Sequence, residues 1–371
     1  MTPDSGIIIV TGSKGRIGEA VMRRFAGRFK TVIGTDRAAP EPPPGCVYVP
    51  IEITSDDSVR DGLRTIREHH GAQVASVIHL AAYYDFLGEP SPKYEQITVQ
   101  GTGRLLREMR AQDFQVEQFI FSSTMLVHGP AEPGQFIDED WPLEPTWAYP
   151  QSKVRTEQLI HDQRGDIPAV LLRIAGVYDD RTHSIPLAQQ MQRIYERDLT
   201  SRVYSGSTAH GQSFLHMDDL VDAIERVVDR RAKLPSEVAL LVGEPEPLTY
   251  DELQHTIARL LHVESSAETL EIPELLAPVA KVGTWALDKL PGRDGFIRPW
   301  MIDRANDHYA LDITRARTML EWEPTRSLRE TLPKMAAALT ADPLGWYGDN
   351  DLEPSAAVRK RAAVHGNRQS A

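Results

Sequence analysis

Short apolar runs alternate with stretches of helical spacing through the first half of the chain. Ile7-Ile8-Ile9-Val10 is unbroken and of strand length, whereas Ile17, Ala20, Val21 and Phe25 recur at the spacing of one helix face. The alternation continues with strands at Thr31-Val32-Ile33-Gly34, at Val47-Tyr48-Val49-Pro50-Ile51 and at Val74 to Leu80. Two more follow at Gln118-Phe119-Ile120-Phe121 and Ala169-Val170-Leu171-Leu172-Arg173-Ile174. Helices are predicted between them at 56–70, from Tyr94 to Ala111, and from near Tyr149. Strands separated by helices predict an α/β fold on a doubly wound parallel sheet. Beyond Tyr178 the rhythm loosens. Residues 1–179 are expected to form the main domain, with 209–235 returning to it. Segments 180–208 and 236–340 are expected to form a smaller, interleaved substrate-binding part. Leu275, Leu276, Val279, Val282, Ala286, Leu287 and Leu290 lie at helical spacing and read as core packing, with a pocket lid or membrane-surface contact as alternatives. The polar stretch 341–371 is expected to be a disordered tail.

Composition narrows the function. The 371 residues suffice for one large or two modest domains. A net charge of −12 argues against nucleic acid or anionic membrane as partner. With Cys46 as the only cysteine there is no internal disulfide and no cysteine-built metal cluster, which suits a cytoplasmic protein. No apolar run reaches the length of a membrane span, and Met1-Thr2-Pro3-Asp4-Ser5 lacks the basic start of a secretion signal.

Between the first strand and the first helix stands Thr11-Gly12-Ser13-Lys14-Gly15-Arg16-Ile17-Gly18. Gly12 suits the tight turn, Gly15 lets the backbone approach a pyrophosphate, and Gly18 lets helix pack on strand. The free N–H groups of the helix start favour a phosphate. Asp36 ends the second strand at the distance expected for a carboxylate that binds a ribose 2′-hydroxyl. A dinucleotide site is therefore predicted. Asp36 favours NAD by repelling the 2′-phosphate of NADP, although Arg37 could pair with that phosphate.

Candidate chemistry follows the fifth strand. Phe121-Ser122-Ser123-Thr124 places hydroxyls at a strand's carboxyl end, and Tyr149-Pro150-Gln151-Ser152-Lys153 sets a Tyr and a Lys on one helix face. Pro150 suits a first helical turn, so Tyr149 lies at the positive end of its helix. There it could exchange a proton with a substrate hydroxyl while hydride moves to or from a nicotinamide. Lowering a tyrosine from about 10 to neutrality takes about 4 kcal/mol, from a neighbouring ammonium, the oxidised cofactor ring and the helix dipole. Thr124 would hold the substrate oxygen, with Ser123 in reserve. His216, in Phe214-Leu215-His216-Met217-Asp218-Asp219-Leu220, reads as a hydrogen-bonder at a helix start rather than as a base.

Taken together, the glycine turn, Asp36, His79-Leu80-Ala81-Ala82, the Ser-Ser-Thr cluster, Tyr149-x-x-x-Lys153, the 214–220 stretch and Leu320-Glu321-Trp322-Glu323-Pro324 resemble the extended short-chain dehydrogenase/reductases of the NAD-dependent epimerase/dehydratase type. The resemblance implies a Rossmann-type sheet and catalytic Thr124, Tyr149 and Lys153. It implies a cofactor lined by Gly12, Ser13, Lys14, Gly15, Arg16, Ile17, Gly18, Asp36, Arg37, Glu52, Ile53, Leu80, Ala81, Ala82, Thr98, Ser122, Tyr149, Lys153 and Ala175, with no metal. Partners would be a small-molecule substrate and a second copy in a homodimer. Departures carry the substrate information. Thr98 stands where many members have Asn. Gly176 and Gln212 replace the Asn and Arg of sugar-nucleotide enzymes, and Met125-Leu126 replace the acids of the dehydratases. A sugar or nucleotide sugar is the first reading. An apolar alcohol, as in steroid dehydrogenases or flavonol reductases, is the second, and a non-catalytic NAD(P)-sensing regulator the third.

Overall fold

The computed structural model describes residues 4–38, 41–85, 88–263, 269–272 and 304–369. The apolar stripe at 275–290 lies outside them. Eight parallel strands form the central sheet: β1 (Asp4–Thr11), β2 (Phe29–Thr35), β3 (Cys46–Tyr48), β4 (Gln73–His79), β5 (Gln115–Val116), β6 (Phe119–Thr124), β7 (Ala169–Ile174) and β11 (Glu237–Val242). Their order is β11-β7-β6-β4-β1-β2-β3, with β5 beside β4. The third strand is shorter than its apolar run. Pro50 has no N–H to donate, yet Val49 N and Ile51 N still reach Gly34 O and Asp36 O, both at 3.0 Å. The eighth strand of the sheet differs from the expected partition, because Glu237–Val242 pairs with β7 along its whole length instead of opening the substrate part.

Helices cover both faces. On one, α1 (Arg16–Phe25) and α6 (Met217–Asp229) bury Val21, Met22, Phe25, Leu220, Ile224 and Val227. On the other, α2 (Asp56–His70), α3 (Gln100–Ala111) and α4 (Ala148–Gln163) bury Leu63, Ile66, Leu105, Met109 and Ile160. The helix expected from Tyr94 begins as a π-helical stretch, Tyr94–Val99, a form that recurs at functional sites.

A third cluster joins Tyr178, Leu187, Met191, Phe214, Ile257, Met335, Trp346 and Tyr347 beside the sheet. Its last members correct the expected disordered tail, since Pro343–Asp349 and Ala356–Gln369 are helical. The composition there is polar on average, but Trp346 and Tyr347 are fully buried and supply the apolar anchor that ordering requires. Among the described residues no helix is long and apolar enough to cross a membrane.

Candidate active site

The glycine turn has the shape its residues predict. Gly12 has φ +65°, and a Cβ there would come within 2.9 Å of Ala81 N. A Cβ on Gly18 would lie 2.5 Å from Gly12 O and 2.6 Å from Ser13 Cα, so any side chain would push the turn off its helix. Gly15 caps α1 without a side-chain hydrogen bond, and Ser13 Oγ is buried without a partner. A turn of bare backbone at a helix N-terminus is what a dinucleotide diphosphate needs, so the residues present fit NAD. Lys14, Arg16 and Ile17 follow this turn, Lys14 and Arg16 being exposed.

Asp36 ends the second strand at the next edge and accepts from Lys14 N at 3.3 Å and Arg37 N at 2.8 Å. That leaves carboxylate lone pairs for a ribose, while the Arg37 side chain is exposed. Glu52 accepts from Thr54 N and Oγ1 and so caps its own turn, and Ile53 is buried against Gly101. Leu80 N and Ala81 N both donate to Thr11 Oγ1, at 3.2 and 3.1 Å, which ties the ends of β4 and β1 together; Ala82 follows along the same rim. Thr98 is buried in the π-helical stretch and accepts from Tyr83 N at 3.0 Å. Ala175 is buried just past β7, its N–H donating to Val242 O.

The cluster expected to react lies at the carboxyl end of β6. Lys153, on α4, reaches Ser122 O at 2.5 Å and stands 5.6 Å from the centre of the Tyr149 ring. Ser122 Oγ donates to His79 O. The Thr124 hydroxyl is in hydrogen-bond reach of the Tyr149 phenol. Ser123 departs from its expected reserve role. Its hydroxyl donates to Glu157 at 2.5 Å, on the buried side of the strand, because neighbours along a strand point to opposite faces. Glu157 also holds Arg173 (2.8 and 3.2 Å), a buried ion pair that a sequence reading could have sought in the arginine of an otherwise apolar strand.

Burial governs the electrostatics. It pushes the Tyr149 phenol up, with Tyr84 adding to the rise and Thr124 opposing it. It brings Lys153 down to about 7, against the pull of Glu157. The protein alone therefore disfavours phenolate and ammonium singly, contrary to the expected lowering of Tyr149. Formed together as a close pair, the two charges offset one another. His79, between Thr11 Oγ1 (2.7 Å) and Thr102 Oγ1 (2.9 Å), is held neutral by burial and by Lys153, its value lowered to about 3.

Three side chains missed in the sequence surround this cluster. The Tyr84 ring packs edge-on to Tyr149 at 4.9 Å, and Trp147 lies 5.5 Å away on the same ring. The Arg304 guanidinium stands 5.9 Å from the Trp147 ring centre; its Nη1 is 3.4 Å from Asp307, and its Nε is buried without a partner. No motif marks Arg304, which is 155 residues from Tyr149 in the chain. Gly176 has a packing reason, since a Cβ there would meet the Phe214 ring at 2.8 Å. His216 caps α6, its ring accepting from Asp218 N at 3.1 Å.

Comparison with known proteins agrees with this geometry. The chain is 24% identical over 345 residues to a UDP-glucuronate 4-epimerase of Thermodesulfobacterium geofontis, covering 89% of this chain and 94% of that one. It is 24% identical over 344 residues to a dTDP-6-deoxy-L-talose 4-dehydrogenase (NAD(P)(+)) of Kitasatospora kifunensis, covering 91% and 96%. The solved UDP-glucuronic acid 4-epimerase of Bacillus cereus, in complex with UDP-glucuronic acid and NAD, shares the fold with a TM-score of 0.65 at 18% identity, covering 90% of this chain and 99% of that one. The profile of the NAD dependent epimerase/dehydratase family matches residues 8–243, so the chain, an enzyme with NAD as its cofactor, belongs to that family.

Proposed function

We propose that the protein oxidises a secondary alcohol of a nucleotide sugar, with Tyr149 as proton acceptor, and either releases the ketone or reduces it again as an epimerase. The observation that carries the substrate class is Arg304. A half-buried guanidinium whose Nε is buried without a partner, near Trp147 beside Tyr149, is suited to an anionic group a short distance from the alcohol. An apolar alcohol would leave the Arg304 Nε without a partner and its guanidinium paired with Asp307 alone. The relatives named for UDP- and dTDP-sugars support the same reading.

When bound, NAD supplies the acceptor for the hydride that leaves the alcohol carbon. Thr124 holds the alcohol oxygen, and the hydroxyl proton passes to the Tyr149 oxygen as the carbonyl forms. Lys153 becomes the ammonium that offsets the Tyr149 phenolate before that transfer. Its hydrogen bond to Ser122 O fixes the amine at the strand end.

Calorimetry of UDP on the NAD-loaded protein and on Arg304→Gln tests the assignment. Binding by the native protein, weakened at least about tenfold in the variant, is expected for a lost charge-assisted bond. Absence of UDP and dTDP binding in the native protein, or equal binding by both forms, overturns it.

A further inference from the structure

The helical segment after residue 342 joins two loops that are far apart in sequence. On one side, Arg16 of the glycine turn donates to Asp349 O at 2.7 Å. On the other is the turn at 179–183 that follows strand β8 (Gly176–Tyr178). Asn350 Oδ1 accepts from His183 N at 2.9 Å, and Asn350 Nδ2 donates to Arg181 O at 3.2 Å. Arg181 Nε in turn reaches Asp349 Oδ2 at 2.8 Å, and Trp346 Nε1 reaches Thr182 Oγ1 at 3.3 Å.

This turn is strained. Thr182 has φ +95° and His183 φ +43°, both in the positive-φ region that side chains disfavour, and for a β-branched residue such a φ is an outlier. Strain of this kind persists where the surroundings over-determine it. Here the surroundings are Asn350, whose amide answers an N–H and a C=O of the turn, and Trp346, fully buried. Burial raises the Asp179 carboxyl, but its bonds to His183 Nδ1 at 2.5 Å and to Arg181 N outweigh that and hold it below the ordinary range, with Arg16 adding a smaller pull.

We propose that Asn350 and the segment around it are positioning elements for Arg16, closing a bridge over the diphosphate of the bound dinucleotide and slowing its release. The inference rests on the glycine turn being the NAD site. Arg16, exposed and at the first position of α1, is held from outside the turn by the Asp349 carbonyl, with the Asp179 carboxylate adding a weaker electrostatic attraction. A dinucleotide entering or leaving must part those contacts. A slow exchange suits an epimerase, which must return the same hydride, and retained cofactor would follow from this chain's own C-terminal segment.

The test is the dissociation rate of NAD from the full chain, followed by displacement in stopped flow. It is measured for the native protein, Arg16→Ala, Asn350→Ala and the double variant. Each single variant is expected to release NAD about tenfold faster, the loss of one hydrogen bond to a charged or buried group. The double variant is expected to exceed the faster single variant by less than threefold, because both changes open the same bridge. Arg16 is exposed, so Arg16→Ala keeps the test alive if Asn350→Ala melts early. Unchanged release in Arg16→Ala, or effects of the two changes that multiply independently, overturns the inference. Failure of the native protein to bind NAD would instead remove the cofactor site on which it rests.

Discussion

At the scale of single residues, the proposed reaction depends on one oxygen, that of Tyr149. Tyr149→Phe removes the proton acceptor and keeps the ring between Tyr84 and Trp147, so turnover is expected to fall about 10²–10⁴-fold while NAD affinity, measured by titration, stays near native. Thr124→Val is expected to lower turnover and Ser123→Ala to lower it far less, because Ser123 is committed to Glu157. Steady-state rates of the two variants check this; equal losses would place Ser123 at the substrate. His79 gives a stability prediction. Its folded value, about 3, lies below its unfolded value near 6.5, so the unfolded chain binds the proton first and stability falls as pH drops through 6.5. Relative to His79→Gln, the native protein should lose about 1 kcal/mol between pH 6.5 and 5.5, read from denaturant melts at the two pH values.

At the scale of elements, the glycine turn and its strands act as one unit. Gly18→Ala would set a methyl 2.5 Å from Gly12 O, and backbone cannot yield as a flexible side chain can. The turn is expected to shift and NAD affinity to fall at least about tenfold with far smaller change in global stability, checked by titration beside thermal melts. Asp36 already receives two N–H groups, and Arg37 is free to swing. Asp36→Ala is therefore expected to shift preference toward NADP, since it removes the charge that repels the 2′-phosphate and leaves the guanidinium that attracts it. Comparing both cofactors on the variant decides it. The strand–turn–helix pattern and the Tyr-x-x-x-Lys spacing were legible because they are local, with period and loop chemistry in adjacent residues. Strand β11 was not, since its apolar run follows a stretch of irregular rhythm and only pairing with β7 shows its place.

At the scale of the whole molecule, the C-terminal segment is part of the packed structure. Trp346 is fully buried in the third cluster, with Tyr347 OH donating to Glu196 at 2.6 Å. Trp346→Ala should cost about 3–5 kcal/mol, the usual range for a buried aromatic, as a drop in the urea midpoint. A tail that were merely appended would leave the midpoint unchanged.

What the sequence by itself determined is what neighbours along the chain can encode: an alternating strand–helix frame, a glycine turn before a helix, an acid at the end of the second strand, and a tyrosine and lysine one helical turn apart. Tertiary structure decided which distant groups surround them. It turned Ser123 away from the site, brought Trp147 beside Tyr149 and Arg304 beside Trp147, and carried Asp349 back to the glycine turn and Asn350 to the turn at 179–183. The reason is physical. A local motif is read from spacing, whereas a partner 155 or 333 residues away is chosen by packing of whole elements, which leaves no period in the sequence to read.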